Sequence, residues 1–267
     1  MPKISTNGIQ LYYAEQGSGP PLLLIMGITA PGSVWARHAA FWQQNFRCLM
    51  PDNRGVGQSD KPVGPYQSSM MADDLAGMID QLGLGAVRVV GCSMGSIIAQ
   101  QLALRHPAKV RSMVLMCPWA RCDRYAVGIF ELMGVLKARL RPEEFAHYIQ
   151  LLIFSKKTWD SAASYSELVQ GRAEAATVSD PQPLHALEAQ ALACTNHNAF
   201  KDLGLITCPT LVIGGDADIF TPPWMAREVA GGIPGAELHL YPDAGHAFHW
   251  EHLDDFNPRI RDWLLAH

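Results

Sequence analysis

The chain has 267 residues, enough for one large domain or a core domain with an insertion. A chain of this size buries about three quarters of its unfolded surface and needs no disulfide or metal to fold. Hydrophobic residues at 48% and charged residues at 17% exclude a disordered protein. Lys plus Arg at 21 against Asp plus Glu at 25 give a net charge of −4. That balance speaks against nucleic-acid and anionic-membrane partners, which need a basic surface, and no apolar run approaches the ~20 residues of a bilayer span.

In chain order, Ile4 and Ile9–Tyr13 flank Asn7-Gly8, a hairpin signal. Pro21–Met26 is an apolar run too short for a helix, as expected of a strand buried on both faces. A helix is predicted from Ser33, read as its N-cap, through Trp42, then a strand over Phe46–Met50. Ser69–Leu82 has helical spacing and stops at Gly83; Ala86–Cys92, Met94–His106 and Val110–Cys117 read as strand, helix and strand. Such alternation with short connections means parallel strands and crossover helices, an open doubly wound α/β sheet.

The rhythm breaks over residues 120–205, which hold helix-like stretches near Glu131–Leu140, Pro142–Ile153 and Pro183–Cys194 and no strand pattern. It resumes with strand Pro209–Gly214, a helix near Pro223–Ala230, strand Glu237–Tyr241 and a final helix. The expected organisation is a core in two parts, 1–119 and 206–267, with an inserted all-helical lid over 120–205. The N-terminus lacks the apolar stretch of a secretory signal, and the six cysteines are far apart with no C-x-x-C pair. They are expected to be reduced, in a cytoplasmic protein.

Gly91-Cys92-Ser93-Met94-Gly95 fits G-x-S-x-G and sits between a predicted strand and a predicted helix. The chain must reverse sharply there, which lifts the Ser93 hydroxyl above the sheet edge and aims the helix's first N–H groups at the same place. A serine hydroxyl is a poor nucleophile without a base, and the base needs an orienting acid. His246 follows the strand Glu237–Tyr241 and stands where the base is needed. For the acid, Asp216 and Asp218 both follow Pro209–Gly214; Asp218 is preferred because it lies deeper in the loop, and Asp216 is read as capping the turn.

On Met26-Gly27, Asp52-x-Arg54-Gly55-x-Gly57-x-Ser59, Gly91-x-Ser93-x-Gly95, Asp218…Pro222 and Gly245-His246, the chain resembles α/β-hydrolase-fold serine hydrolases over essentially its whole length. It is most similar to 3-oxoadipate enol-lactonase and aminoacrylate-hydrolase type sequences. The resemblance implies Ser93 as nucleophile, Asp218 as acid, His246 as base, and an oxyanion hole from the N–H groups of Ile28 and Met94. It implies a cofactor-independent enzyme cleaving a small ester or lactone through an acyl-enzyme. An amide, enamine or C–C bond hydrolase with the same triad is the alternative, and a non-catalytic receptor on the same fold a further one. Many relatives carry His-Gly where this chain has Met26-Gly27; the implied donor is the next residue's backbone N–H, so the side chain at 26 need not abolish the hole.

Arg54 is read as structural, tying its loop down through carbonyls or an acid. His246, His249 and His252 are spaced by three but lack H-E-x-x-H, so no metal is expected. His197 is expected on a surface loop. Trp119, Phe220 and Phe248 are expected as pocket walls, with Arg121 at the lid entry as a substrate-binding cation.

Overall fold

Asn7 and Gly8 adopt φ of 45° and 79° and close a two-residue turn between β1 (Lys3–Thr6) and β2 (Ile9–Gln16). Asn-Gly is favoured there because both positions need positive φ. The computed structural model describes residues 2–267 and continues with β3 (Pro21–Ile25), α1 (Ala36–Trp42), β4 (Arg47–Pro51), α2 (Ser68–Gln81), β5 (Val87–Cys92), α3 (Met94–Arg105) and β6 (Val110–Met116). Five helices follow: α4 (Arg124–Lys137), α5 (Pro142–Ile153), α6 (Lys156–Asp160), α7 (Ala162–Ala175) and α8 (Leu184–Thr195). The chain then returns through β7 (Thr210–Gly215), α9 (Pro223–Gly232), β8 (Glu237–Tyr241), α10 (Phe248–Glu251) and α11 (Leu253–Ala266).

Among the described residues the strands form one eight-stranded sheet of order β1-β2-β4-β3-β5-β6-β7-β8. The pairs β1–β2 and β2–β4 are antiparallel and all others parallel. Successive residues of the central strands feed opposite cores. Leu23, Val89 and Met113 pack under α2, α3 and the inserted helices, while Leu22, Leu24, Val90 and Val114 pack with Trp35, Trp42 and Phe256 of the opposite layer. A strand buried on both faces has no polar side, which is why these segments read as unbroken apolar runs.

Some local expectations are corrected. Ser33 caps no helix: a 3-10 turn over Gly32–Trp35 precedes α1, with no side-chain cap on either. Helix α4 begins at Arg124, where the Asp123 side chain accepts from the Ala126 N–H at 2.8 Å, and so starts ahead of the apolar stretch from Glu131. Helix α7 buries only Leu168 and therefore has no apolar stripe to betray it. His197 lies inside the protein, bonded to Ser68 Oγ at 3.0 Å and Gln100 Oε1 at 3.4 Å, because the end of α8 folds back over α2 and α3.

Two buried polar links hold the frame. Arg54 donates to both carboxylate oxygens of Asp74 on α2, with Nε–Oδ2 at 2.6 Å, and this pins the loop after β4. His38 of α1 bonds Asn257 of α11 at 2.6 Å and His249 of α10 at 2.9 Å. Burial holds the His38 imidazole down at about 4 and that of His197 at about 3, and pushes His249 well below its usual range.

Replacing Asp74 by Ala strands the Arg54 charge, and should cost about 3–5 kcal/mol in chemical denaturation at neutral pH. An unfolded imidazole takes up its proton near pH 6.5, whereas buried His38 does so only near 4. Stability should therefore fall as pH drops from 6.5 towards 4, by on the order of 3 kcal/mol from His38 alone. Denaturation midpoints at pH 7, 5.5 and 4.5 check the slope.

Candidate active site

Ser93 stands between β5 and α3 with φ 55° and ψ −119°, a strained conformation for a non-glycine residue. Its flanking glycines make the turn feasible. A Cβ on Gly91 would lie 2.4 Å from the Gly95 carbonyl oxygen, and one on Gly95 would lie 2.1 Å from that of Ile25. The Ser93 N–H is anchored to Met116 O at 2.8 Å. Its side chain is buried, and the hydroxyl makes no hydrogen bond among the described residues. Ser96, one turn along, is different: its hydroxyl donates to the Ser93 carbonyl at 2.6 Å and is committed to the helix start.

Asp218 is held in the loop after β7 by its own turn. Oδ1 accepts the N–H groups of Phe220 and Thr221 at 2.8 and 3.0 Å, and Oδ2 accepts the Thr221 hydroxyl at 2.9 Å. The same Oδ2 lies 2.7 Å from His246 Nδ1. A proton on Nδ1 shared with this carboxylate leaves Nε2 as the basic nitrogen. Asp216 is exposed and accepts the Asp243 N–H at 2.7 Å, which ties the loops after β7 and β8 together.

The segment after β3 runs beside the elbow. A Cβ on Gly27 would lie 3.2 Å from Ser93 Cβ. Among the described residues no hydrogen bond engages the N–H of Ile28 or Met94. Three side chains hold this segment: Asn53 donates to Met26 O at 2.8 Å, Asp52 accepts from Gly32 N at 2.7 Å, and Gln190 of α8 accepts from Thr29 N at 3.1 Å. Asn53 lies in the loop singled out from the sequence; nothing in the local pattern marked Gln190.

The loop of His246 is also braced by the inserted helices. Glu251 accepts from Gly245 N through Oε2 at 2.8 Å, and through Oε1 from Ser155 N at 2.8 Å and the Thr158 hydroxyl at 2.6 Å. Ala247 N donates to Ile153 O at 2.8 Å, an approach that Gly245 permits, since a Cβ there would lie 2.6 Å from the same oxygen. Neither Glu251 nor Thr221 carried a sequence signal.

The expected wall residues separate into two groups. Phe220 lies with its ring centroid 4.9 Å from that of His246, and Phe130 links it, at 5.4 Å, to Trp119 at 5.8 Å. The Trp119 indole N–H donates to Cys194 O at 3.3 Å, joining the end of α8 to the core. Phe248 instead packs on the other side of the sheet, its ring 5.4 Å from Tyr241 and 5.7 Å from Phe256, because it lies on the side of the short α10 that meets α11. Arg121 is 51% exposed, paired with Glu228 at 3.1 Å and stacked 4.0 Å over the Phe200 ring, so it faces outwards and not into a cleft. Cys117 Sγ lies with Asp218 and His246 in a buried cluster of ligand-type atoms within 4.8 Å of one another. Burial pushes its thiol well above the ordinary range, so it stays protonated, and its Sγ approaches His246 O at 3.3 Å.

Residues 20–253 match the alpha/beta hydrolase fold family. The chain belongs to that family. A Mycobacterium tuberculosis protein provisionally named non-heme bromoperoxidase BpoC is 32% identical over 263 residues, 97% of this chain and 98% of that protein. The structure of a thermophilic esterase from Thermogutta terrifontis is similar at TM-score 0.86 and 28% identity, over 99% of this chain and 97% of the other. That of the enol-lactonase from Burkholderia xenovorans LB400 is similar at TM-score 0.87 and 25% identity, over 99% and 100%. With a triad-like arrangement of serine, Asp218 and His246 on this fold, the protein is an enzyme of the serine-hydrolase type.

Glu251→Ala removes three hydrogen bonds to one carboxylate and frees the His246 loop from α6. It should lower stability by about 2 kcal/mol and reduce kcat more than it raises KM, read from denaturation and steady-state rates.

Proposed function

We propose that the protein hydrolyses small carboxylic esters or lactones without a cofactor, with Ser93, His246 and Asp218 as the working triad. The observation that carries this reading is the contrast between the two elbow serines. Ser93 has a free hydroxyl on a strained turn, whereas that of Ser96 is spent on the Ser93 carbonyl. The strain holds the nucleophile in place before substrate arrives.

In this mechanism Ser93 Oγ attacks the ester carbonyl while His246 Nε2 takes its proton, and Asp218 holds the imidazole tautomer and the positive charge that forms. The N–H groups of Ile28 and Met94 receive the tetrahedral oxyanion; such donors are each worth about 3–4 kcal/mol in the transition state. Collapse expels the alcohol, which takes the proton from His246 and leaves Ser93 acylated. Water, deprotonated by His246, then attacks the acyl group and releases the acid. Hydrolysis of a lactone releases both groups as one hydroxy acid.

A cavity of about 930 Å³ lies between the core and the inserted helices, and Thr29 of the oxyanion segment is part of its wall. Val34, Val56, Phe145, Ile149, Leu168 and Trp250 make much of its lining apolar. We assign it to the non-reacting part of an apolar substrate, and residues 120–205 to a lid over it. Phe220, packed on the His246 ring, shields that base from solvent; Arg121 and Phe248 take no part. The reading extends to a cytoplasmic setting, supported by six free cysteines whose thiols burial keeps protonated in the cases of Cys48, Cys92 and Cys122, each raised to about 12. Among the described residues no helix is long and apolar enough to cross a membrane.

A panel of lactones, short esters, amides and a dienoic C–C substrate, run on wild type and Ser93→Ala, tests the assignment. Wild type should turn over esters or lactones and react with a fluorophosphonate at Ser93. Ser93→Ala should lose at least three orders of magnitude in kcat with the fold intact. Near-wild-type turnover by that variant would remove Ser93 from the mechanism, and preference for an amide or C–C substrate would change the substrate class.

A further inference from the structure

We infer that Gln190, on the inserted helix α8, is a positioning residue for the oxyanion hole, so that the lid itself completes the site that receives the transition-state charge. The inference rests on the serine-hydrolase reading above. It adds to it a residue from the lid that the triad does not include.

The geometry starts from the segment between β3 and α1. Its N–H groups at Ile28 and Thr29 are consecutive and belong to successive peptide planes. Thr29 has φ 68°, a left-handed conformation that a β-branched residue adopts only under constraint. At this residue Gln190 Oε1 accepts the Thr29 N–H at 3.1 Å. Holding the plane that carries the Thr29 N–H limits how far the preceding plane, which carries the N–H of Ile28, can turn, because the two share the Ile28 Cα.

Gln190 is itself held on every polar atom. It is 0% exposed; its Nε2 donates to Arg54 O at 2.8 Å, and its Oε1 also receives the Gln182 amide at 2.9 Å. Gln182 in turn donates to Gly55 O at 2.9 Å. The Gln190 amide is therefore oriented by the loop that Arg54 and Asp74 pin to α2. It has one orientation that satisfies its neighbours: the oxygen towards Thr29, the nitrogen towards Arg54.

The two other anchors of the segment, Asn53 at Met26 and Asp52 at Gly32, come from the core and grip its ends. Among the described residues, only the side chain of Gln190 grips the middle, and it comes from the lid. Methionine at 26 has no side-chain donor or acceptor of this kind to offer the segment, and the buried amide of Gln190 holds its middle.

The test compares Gln190→Met, isosteric but unable to accept or donate strongly, with Gln190→Asn, polar but one methylene short. For each, kcat and KM on a p-nitrophenyl ester are measured together with the inhibition constant of phenylboronic acid. Its tetrahedral adduct with Ser93 places an oxygen in the oxyanion hole. Loss of one oriented hydrogen bond predicts about a ten-fold fall in kcat and an equal weakening of boronate inhibition, with KM changed less than about two-fold. Both readings are made well below the unfolding temperature, where a loss of stability alone would move neither. Unchanged kcat and boronate affinity in a folded variant overturn the inference, and so does a loss confined to KM. If Gln190→Met does not fold, Gln190→Asn carries the same criteria. A wild type that neither turns over esters nor reacts with a fluorophosphonate would instead defeat the underlying hydrolase reading.

Discussion

The first turn of α3 presses against the end of β3 so closely that only a glycine at 95 fits, its missing Cβ leaving room for the Ile25 carbonyl. This approach is what brings two strand ends and a helix N-terminus to one point. It sets Gly27 against Ser93, with room for no more than a hydrogen on Gly27 Cα, since a Cβ there would lie 3.2 Å from that of the serine. The strain at Ser93 follows from the same contact, because the chain has to leave β5 and enter α3 within one residue. The Asp218–His246 pair is then delivered by β7 and β8, neighbouring parallel strands whose ends lie on the same edge of the sheet.

The inserted helices are as much part of this machinery as the sheet. Glu251 and the Ala247 N–H tie the His246 loop to the end of α5 and the start of α6, and Gln190 ties the segment after β3 to α8. Both links consist of buried or half-buried hydrogen bonds to backbone groups, which cost the full desolvation of the partner when broken. The lid therefore stays registered on the core through polar contacts at two loops beside Ser93 and His246, while apolar contacts such as those of Phe130 and Leu187 supply the bulk attraction.

Buried polar groups elsewhere follow the same logic. Arg54 and Asp74, and the chain His249–His38–Asn257, have partners on separate elements and so fix the elements relative to one another. Burial keeps the imidazoles of His38 and His249 unprotonated well below the usual range, so they serve this role as neutral groups.

Much of the fold was legible in the sequence, because periodic burial leaves periodic residues. The two-sided strands appear as apolar runs at 21–26 and 110–117, α2 as a helical repeat ending at Gly83, and the elbow as two glycines around a serine. The triad candidates were legible for a related reason: each stands in the segment that follows the end of a strand, on one edge of the sheet. Helix α7 left no pattern because it buries one residue, and Ser33 misled because a serine before an apolar stretch also occurs inside a 3-10 turn. The directions of Arg121 and Phe248 could not be read, since one residue of rotation decides which side of the sheet a side chain enters. Partners distant in the chain were equally hidden: Gln190 meets Thr29 across 161 residues, and Glu251 meets Ser155 across 96. Local chemistry thus determined the strands, the elbow and the kinds of group at the site. Which acceptors and donors from the lid complete it was decided only by tertiary packing, because hydrogen bonds between distant segments leave no local periodicity in a single chain.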